Sequence, residues 1–288
     1  MRLAGGRAKL RGMAGGKAPA LYQRFLPDGR VRAFVWKHAQ SVGGRRPRHF
    51  HSEPELNLVV HGSATFGIGN AVVRASRGDL LAFPAGQDHA LLEASSDLYL
   101  YAIGLDAAHS AAVLGTASEP TSPLHVRLEA SELERLVDQA AAIVDRRDAE
   151  QLGAELWHRM HWLGRRAVDH GGRRPHVLTR RAVQLLAGAP DLGLEALAAE
   201  LRTHPSEVSR HFHHDVGMTL VNYRTRQRLL QLIRLVETGN HDLRSAASEA
   251  GFGSYSQCHR SFHAELGCAP ASFFFSGVLE QMQHVYDR

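Results

Sequence analysis

Two stretches of the sequence place metal-ligating side chains at short, regular intervals. The first reads Gly43, five residues, His49-Phe50-His51, three residues, Glu55, six residues, Gly62. The second reads Gly78, five residues, Pro84-Ala85-Gly86, two residues, His89, three residues, Glu93. Side chains two apart on a strand point to the same side, so His49 and His51 present two imidazoles together. A different chemistry stands near the C-terminus. Ser206, Ser209, Arg210 and His213 line one face of a helical pattern, and Tyr255, Ser256, His259, Arg260 and His263 line another. Arginine makes a bidentate contact to guanine O6/N7, while Ser, His and Tyr reach base edges or phosphates.

The two polar faces belong to one unit that occurs twice. Ser206, Arg210, Phe212, His213, Asp215 and Gly217 recur as Ser256, Arg260, Phe262, His263, Glu265 and Gly267, at an offset of 50. Upstream, Leu194, Ala198 and Glu200 recur as Leu243, Ala247 and Glu249 at an offset of 49. One extra residue in the second turn accounts for the slip, and two copies of one supersecondary unit account for the repeat. Each copy reads helix, short turn, helix. Leu194, Leu197, Ala198 and Leu201 form the first stripe, and Pro205 suits the first position of the next helix. Leu243, Ala246, Ala247 and Ala250 form the second, with Gly251-Phe252-Gly253 as the turn and Ser254 as N-cap. The pairs Val208/Phe212 and Cys258/Phe262 give each second helix an apolar side. Between the copies, 220–237 is a helical pattern about 27 Å long at 1.5 Å per residue. Helices entering successive major grooves on one DNA face sit about 34 Å apart, which that rod plus its two units spans.

Residues 177–276 resemble the AraC/XylS-type transcription regulators. The resemblance rests on the stretch from Pro205 to Phe212, on Gly217-Met218-Thr219-Leu220, on Ala250 to Ser254 continuing through Arg260-Ser261-Phe262, and on Gly267-Cys268-Ala269-Pro270. It implies two helix-turn-helix units joined by a long helix and bound to promoter DNA. The implied base-facing residues are Ser206, Ser209, Arg210, Tyr255, Ser256, His259 and Arg260. The chain departs from the pattern at His213 and His263 (usually basic), Cys258 (usually aromatic), Phe274 (commonly basic) and Arg202 (frequently glycine).

The two N-terminal motifs resemble those of cupins, the second departing at Glu93, where asparagine is usual. Adding Glu55 and His89 to His49 and His51 completes a His₃Glu set with open positions, suited to Fe, Mn, Ni or Zn. A metal-free ligand pocket is the other reading, since regulators of this family often keep the glycines and some histidines of the motifs without a metal. Trp36, Phe34 and Phe50 are candidates to line a pocket or to fill a core.

These residues need a scaffold, and its outline is readable. Residues 31–36, 56–60, 64–68 and 98–103 are short apolar runs separated by turn residues, the texture of a small antiparallel barrel or jelly roll. Residues 129–168 carry apolar positions at helical spacing, as two amphipathic helices whose stripes serve a dimer seam or cover the barrel. The expected architecture is α+β and multidomain. It comprises a disordered tail (1–18), a cupin-like β-barrel sensor (19–120), a helical linker or dimerisation segment (121–170), an all-α domain with two helix-turn-helix units (176–276) and a tail (277–288).

Net charge is +5, but its distribution is uneven. Residues 1–48 hold 12 Lys/Arg against one acid, whereas residues 176–288 hold 11 Arg against 11 Asp/Glu. Only a local basic face can therefore serve DNA. Two cysteines, Cys258 and Cys268, provide neither a disulfide scaffold nor zinc-finger spacing. There is no apolar run of about 18 residues and no secretory leader, so a cytoplasmic protein is expected. With 31 Arg against 3 Lys, the composition fits a GC-rich bacterial genome. The resulting expectation is a non-enzymatic regulator that requires no cofactor, with a divalent metal in the cupin pocket as the candidate addition. Its partners are promoter DNA, a small-molecule effector, a second copy of the chain and, for an activator, RNA polymerase. The rival is a cupin metalloenzyme, dioxygenase-like, with a helical appendage.

Overall fold

A computed structural model describes residues 21–23, 33–39, 46–105, 123–143, 150–166, 175–239 and 242–275. The expected tails 1–18 and 277–288 and Gly43 lie outside them. The N-terminal strands form two five-stranded sheets. The first runs β1 (Leu21–Tyr22), β3 (Arg46–Phe50), β8 (His89–Ala94), β5 (Ser63–Ile68), β6 (Ala71–Ser76). The second runs β10 (Leu124–Arg127), β7 (Asp79–Phe83), β4 (Glu55–His61), β9 (Tyr99–Leu105), β2 (Ala33–Ala39). Among the described residues, β1 and β3 pair in parallel and the other ladders are antiparallel.

The alternation of side chains along β4 shows how the layers stack. Leu56, Leu58 and Val60 face outward into one apolar cluster, and Val59 faces inward into another. The inner cluster draws Phe66, Ile68 and Leu91 from the first sheet and Leu81, Phe83 and Ala102 from the second, so the sheets share a core. The outer face of the second sheet is covered by α1 (Ala130–Ile143) and α2 (Glu150–Arg166). Leu133, Leu136 and Ala140 of α1 and Leu156, Trp157, Met160 and Leu163 of α2 pack on it. The apolar stripes proposed for a dimer seam are therefore spent on the sheet. β4 and β7 are buried on both faces, and so they read as continuous apolar runs.

The C-terminal helices are α3 (Val177–Gly188), α4 (Leu194–Glu200), α5 (Pro205–Val216), α6 (Leu220–Glu237), α7 (Leu243–Glu249), α8 (Tyr255–Leu266) and α9 (Pro270–Phe275). Several of these starts carry a side-chain cap. The Thr219 hydroxyl caps α6 at the Asn222 N–H, Asp242 caps α7, Ser254 caps α8 at Gln257, and His204 caps α5 ahead of Pro205. The helix-turn-helix pairs α4/α5 and α7/α8 fall where the repeat places them. Val208 and Phe212 are buried in one core, and Cys258 and Phe262 in a second.

That second core holds two residues from the sheets. Tyr22 and Phe50 are 1% and 0% exposed and pack with Leu229, Ile233, Phe262 and Phe273. Tyr22 meets Phe273 edge-on, ring centroids 5.6 Å apart. Phe50, a candidate pocket-lining residue from the sequence, instead belongs to the junction between the two halves of the chain. The side chains of Phe34 and Trp36 lie outside the described residues.

Candidate functional site

Antiparallel register brings the first histidines together. His49 on β3 is the direct partner of His89 on β8, and the rings sit 4.3 Å apart. His51, two residues after His49, adds a third ring 5.1 Å from that of His89. Nitrogens of all three lie within 4.8 Å of one another, and all three residues are buried. The Phe83 ring stacks on His89 at 4.4 Å and walls the site on the side of the second sheet.

Backbone carbonyls set the imidazole tautomers. His51 Nδ1 donates to Glu53 O at 2.7 Å, and His89 Nδ1 donates to Gln87 O at 2.9 Å. In a neutral ring each Nε2 is then the lone-pair side, which is the arrangement metal-bound histidines use. His89 Nε2 is buried without a hydrogen-bond partner, although Glu55 Oε2 stands 3.1 Å away. Glu55 lies at the start of β4; its other oxygen accepts from Asn57 Nδ2 at 2.8 Å, which fixes the carboxylate. Glu55 touches His51 and His89, and among the described residues the mutually close donor set comprises the three histidines. All four residues of the expected set are thus buried together, the three histidines as one donor cluster and Glu55 in contact with two of them.

Burial alone disfavours charge on both His51 and Glu55. Their 2.8 Å contact outweighs it, so the His51 imidazolium is held above its ordinary range and the Glu55 carboxyl well below. For Glu55 the neighbouring His89 charge is the largest favourable influence. Three buried imidazoles beside a poised carboxylate fit a first-row divalent ion such as Zn, Mn, Fe or Ni.

The DNA-facing candidates are solvent-directed. Ser206, Ser209 and Arg210 on α5, and Ser256, His259 and Arg260 on α8, are exposed. Arg210 pairs with Glu207 one turn earlier, a contact that a nucleic acid would have to displace. Tyr255 is only half-buried, and the Arg244 guanidinium lies 5.5 Å above its ring. Its ring serves the α7/α8 packing, and Arg244 is an additional exposed cation at that edge which the motif reading missed. An open groove of roughly 690 Å³ separates α5 from the β5–β6 turn, bounded by Ser209, Arg210 and His213 on one side and Asn70 on the other. Asn70 Nδ2 approaches His213 Nε2 at 3.3 Å.

A third group of polar residues lies where the halves meet. Arg226 of α6 donates to Gly86 O and Asp88 Oδ1, each at 3.1 Å, and to Glu265 Oε2 at 2.9 Å. Its guanidinium sits 4.5 Å over the Phe50 ring. Asp88 also takes a charge-assisted bond from Arg48. Burial opposes the Asp88 charge, but Arg226 and then Arg48 hold its carboxyl below the ordinary value. Nothing in the sequence set Arg226 apart from Arg224 and Arg228.

A two-sheet sandwich with a buried cluster of histidines, followed by paired helix-turn-helix units, has the architecture of a DNA-binding protein with a ligand-binding domain. The sequence matches the model of the AraC-like ligand binding domain over residues 34–159 and that of a helix-turn-helix domain over residues 197–274. The chain belongs to the AraC-type transcription regulators. No curated protein matches it. Among solved structures it is similar to ToxT from Vibrio cholerae O395, at 13% identity over 85% of this chain and 96% of that one, TM-score 0.44. ToxT from Vibrio cholerae strain SCE256 bound to an unsaturated fatty acid matches at 12% identity over 84% of this chain and 94% of that one, TM-score 0.44. Oxalate decarboxylase from Bacillus subtilis matches 27% of this chain and 22% of its own, at 22% identity and TM-score 0.25. Among the described residues, no helix is long and apolar enough to cross a membrane.

Proposed function

We propose that this regulator reads two adjacent major-groove sites with α5 and α8, through Ser206, Ser209, Arg210, Ser256, His259 and Arg260, with Tyr255 at the margin. The carrying observation is the duplication: equivalent exposed faces on the second helices of two units, tied by the 18-residue α6. Both helices are buried on their other side, so the polar face is the one left for a partner. The chain regulates rather than catalyses, works in the cytoplasm and, if it activates transcription, contacts RNA polymerase. The sandwich binds the effector, with His49, His51 and His89 holding a divalent ion beside Glu55. When bound, that ion offers open coordination positions to a small molecule. The residues supply the rest: the Glu53 and Gln87 carbonyls aim the rings, and Phe83 shields one wall. A homodimer is formed through the outward side of α2, where Leu152 and Trp162 are 48% and 53% exposed.

Selection of duplexes from a random pool by the full chain tests the DNA reading. The expected product is a bipartite site with centres about one helical turn apart. Recovery of sequence-independent binding alone would overturn it. Metal analysis of the full chain tests the ion: one Zn²⁺ per chain is expected, lost in His49→Ala and His89→Ala.

A further inference from the structure

We propose that the turn from Pro84 to Asp88 is a strap that transmits occupancy of the three-histidine site to α6, with Asp88 and Arg226 as its clasp. The inference rests on the metal reading of that site and adds how the site is coupled to DNA binding.

The turn has two sides. On the inner side it is one hydrogen bond from two of the histidines. Gly86 N–H donates to His51 O at 2.8 Å, and the Gln87 carbonyl receives His89 Nδ1–H. On the outer side it is gripped by the DNA-binding helices. Arg226 holds Gly86 O and Asp88, Gln227 Nε2 donates to Ala85 O at 3.3 Å, and Gln87 Nε2 donates to the Val216 carbonyl at the end of α5, at 3.2 Å. The approach is close enough to restrict the sequence. Gly86 has φ +75°, and a Cβ there would stand 2.9 Å from Leu230 Cδ1 and 3.2 Å from Gln227 Nε2. The carbonyl that orients the His89 ring, the N–H that holds the His51 backbone and the groups that seat α6 therefore lie within five consecutive residues.

The clasp is electrically closed. Arg48 and Arg226 face Asp88 and Glu265, two cations against two carboxylates, and the Arg226 and Asp88 side chains are 11% and 9% exposed. Glu265 lies in the last turn of α8, so Arg226 joins the sandwich to the second DNA-reading helix while Gln87 joins it to the first. A buried ion pair responds to small displacements with discrete loss of contacts, because an unpaired buried charge is costly. An ion that draws the His89 ring toward those of His49 and His51 must move the Gln87 carbonyl that holds it, and with that the turn, which is also tied to the His51 backbone. The consequence is thermodynamic linkage between ion and DNA, reciprocal by necessity.

The test measures duplex affinity of the full chain with and without Zn²⁺, and zinc affinity with and without the selected duplex. Wild type should show a coupling factor of about 5-fold or more, equal in both directions. Arg226→Gln and, as a milder variant, Gln227→Ala lie outside the histidine site and should still bind one zinc. In Arg226→Gln the coupling factor should fall to near 1, and in Gln227→Ala it should decrease. Zinc bound with no coupling in wild type, or coupling retained in both variants, would overturn the strap and leave the metal reading standing. No zinc bound by wild type would overturn both.

Discussion

The two helix-turn-helix units share a plan and differ in what their equivalent residues do. Asp215 and Glu265 occupy the same place in the repeat. Asp215 accepts from the Thr179 hydroxyl and the His176 N–H, each at 2.7 Å, which ties α5 to α3 inside its own unit. Glu265 accepts from Arg226, which also holds the sandwich. Gly217 and Gly267 both end recognition helices in the left-handed region, at φ 79° and 72°. A Cβ on Gly267 would meet nothing, whereas one on Gly217 would stand 2.5 Å from the Gly69 Cα of the β5–β6 turn. The turns differ as well: Gly251 is replaced by Arg202, the sole non-glycine residue with positive φ among the described residues, at 54°. Duplication supplied two identical frames, and docking against the sandwich then gave each frame a separate load.

The largest separation between the units is expected at the paired glycines. Gly267→Ala should cost about 1–2 kcal/mol for the left-handed backbone alone. Gly217→Ala should cost more than that, because the backbone of the β5–β6 turn must also move; denaturant unfolding of the two full-length variants compares them. Equal losses would mean that the contact with Gly69 carries no weight.

DNA reading should instead make the units look alike. Arg210→Ala and Arg260→Ala are each expected to weaken specific binding by about 1–3 kcal/mol, with unfolding midpoints unchanged. A titration against the selected duplex measures both, and an effect confined to one variant would reduce the reader to a single unit.

A smaller, pH-dependent difference is expected from Asp215. Burial alone would raise its carboxyl, but the Thr179 hydroxyl, His214 and the His176 N–H together hold it below the ordinary 3.8. Its folded value is depressed, so its contribution is full above that ordinary value and disappears as pH falls through the folded one. Asp215→Asn should therefore cost about 1 kcal/mol at neutral pH, and the gap from wild type should close in acid. The least effect is expected from Arg202→Gly, a gain of up to about 1 kcal/mol as relief of left-handed strain is offset by chain entropy.

Local and repeated features were readable in the sequence, and docking was not. The spacing of His49, His51 and His89 reports strand alternation and pairing, both short-range rules, so the triad assembles as expected. The offset between the copies exposed α4/α5 and α7/α8 because an apolar pair four residues apart recurs in each second helix, with the same Ser, Arg, His and Gly positions around it. Glu55 was assigned as a ligand by motif, but its distances to its neighbours depend on how two sheets stack. Phe50 sits between two of the site histidines in the sequence yet alternates onto the far side of the strand, where only the arriving helices define its surroundings. Arg226 belongs to a run of alternating arginines, and no pattern within that run marks the one that turns inward. The stripes of α1 and α2 were legible as apolar, but amphipathic periodicity does not say which surface will meet them.

The burial of Tyr22 and Phe50 among helical side chains means that the sensor and the reader are not separable modules. Cutting between them would bare two aromatic rings on one fragment and their hydrophobic bed on the other. The chain should accordingly melt as one cooperative body in calorimetry, and exchanging its sensor for that of another regulator would require transplanting this seam as well.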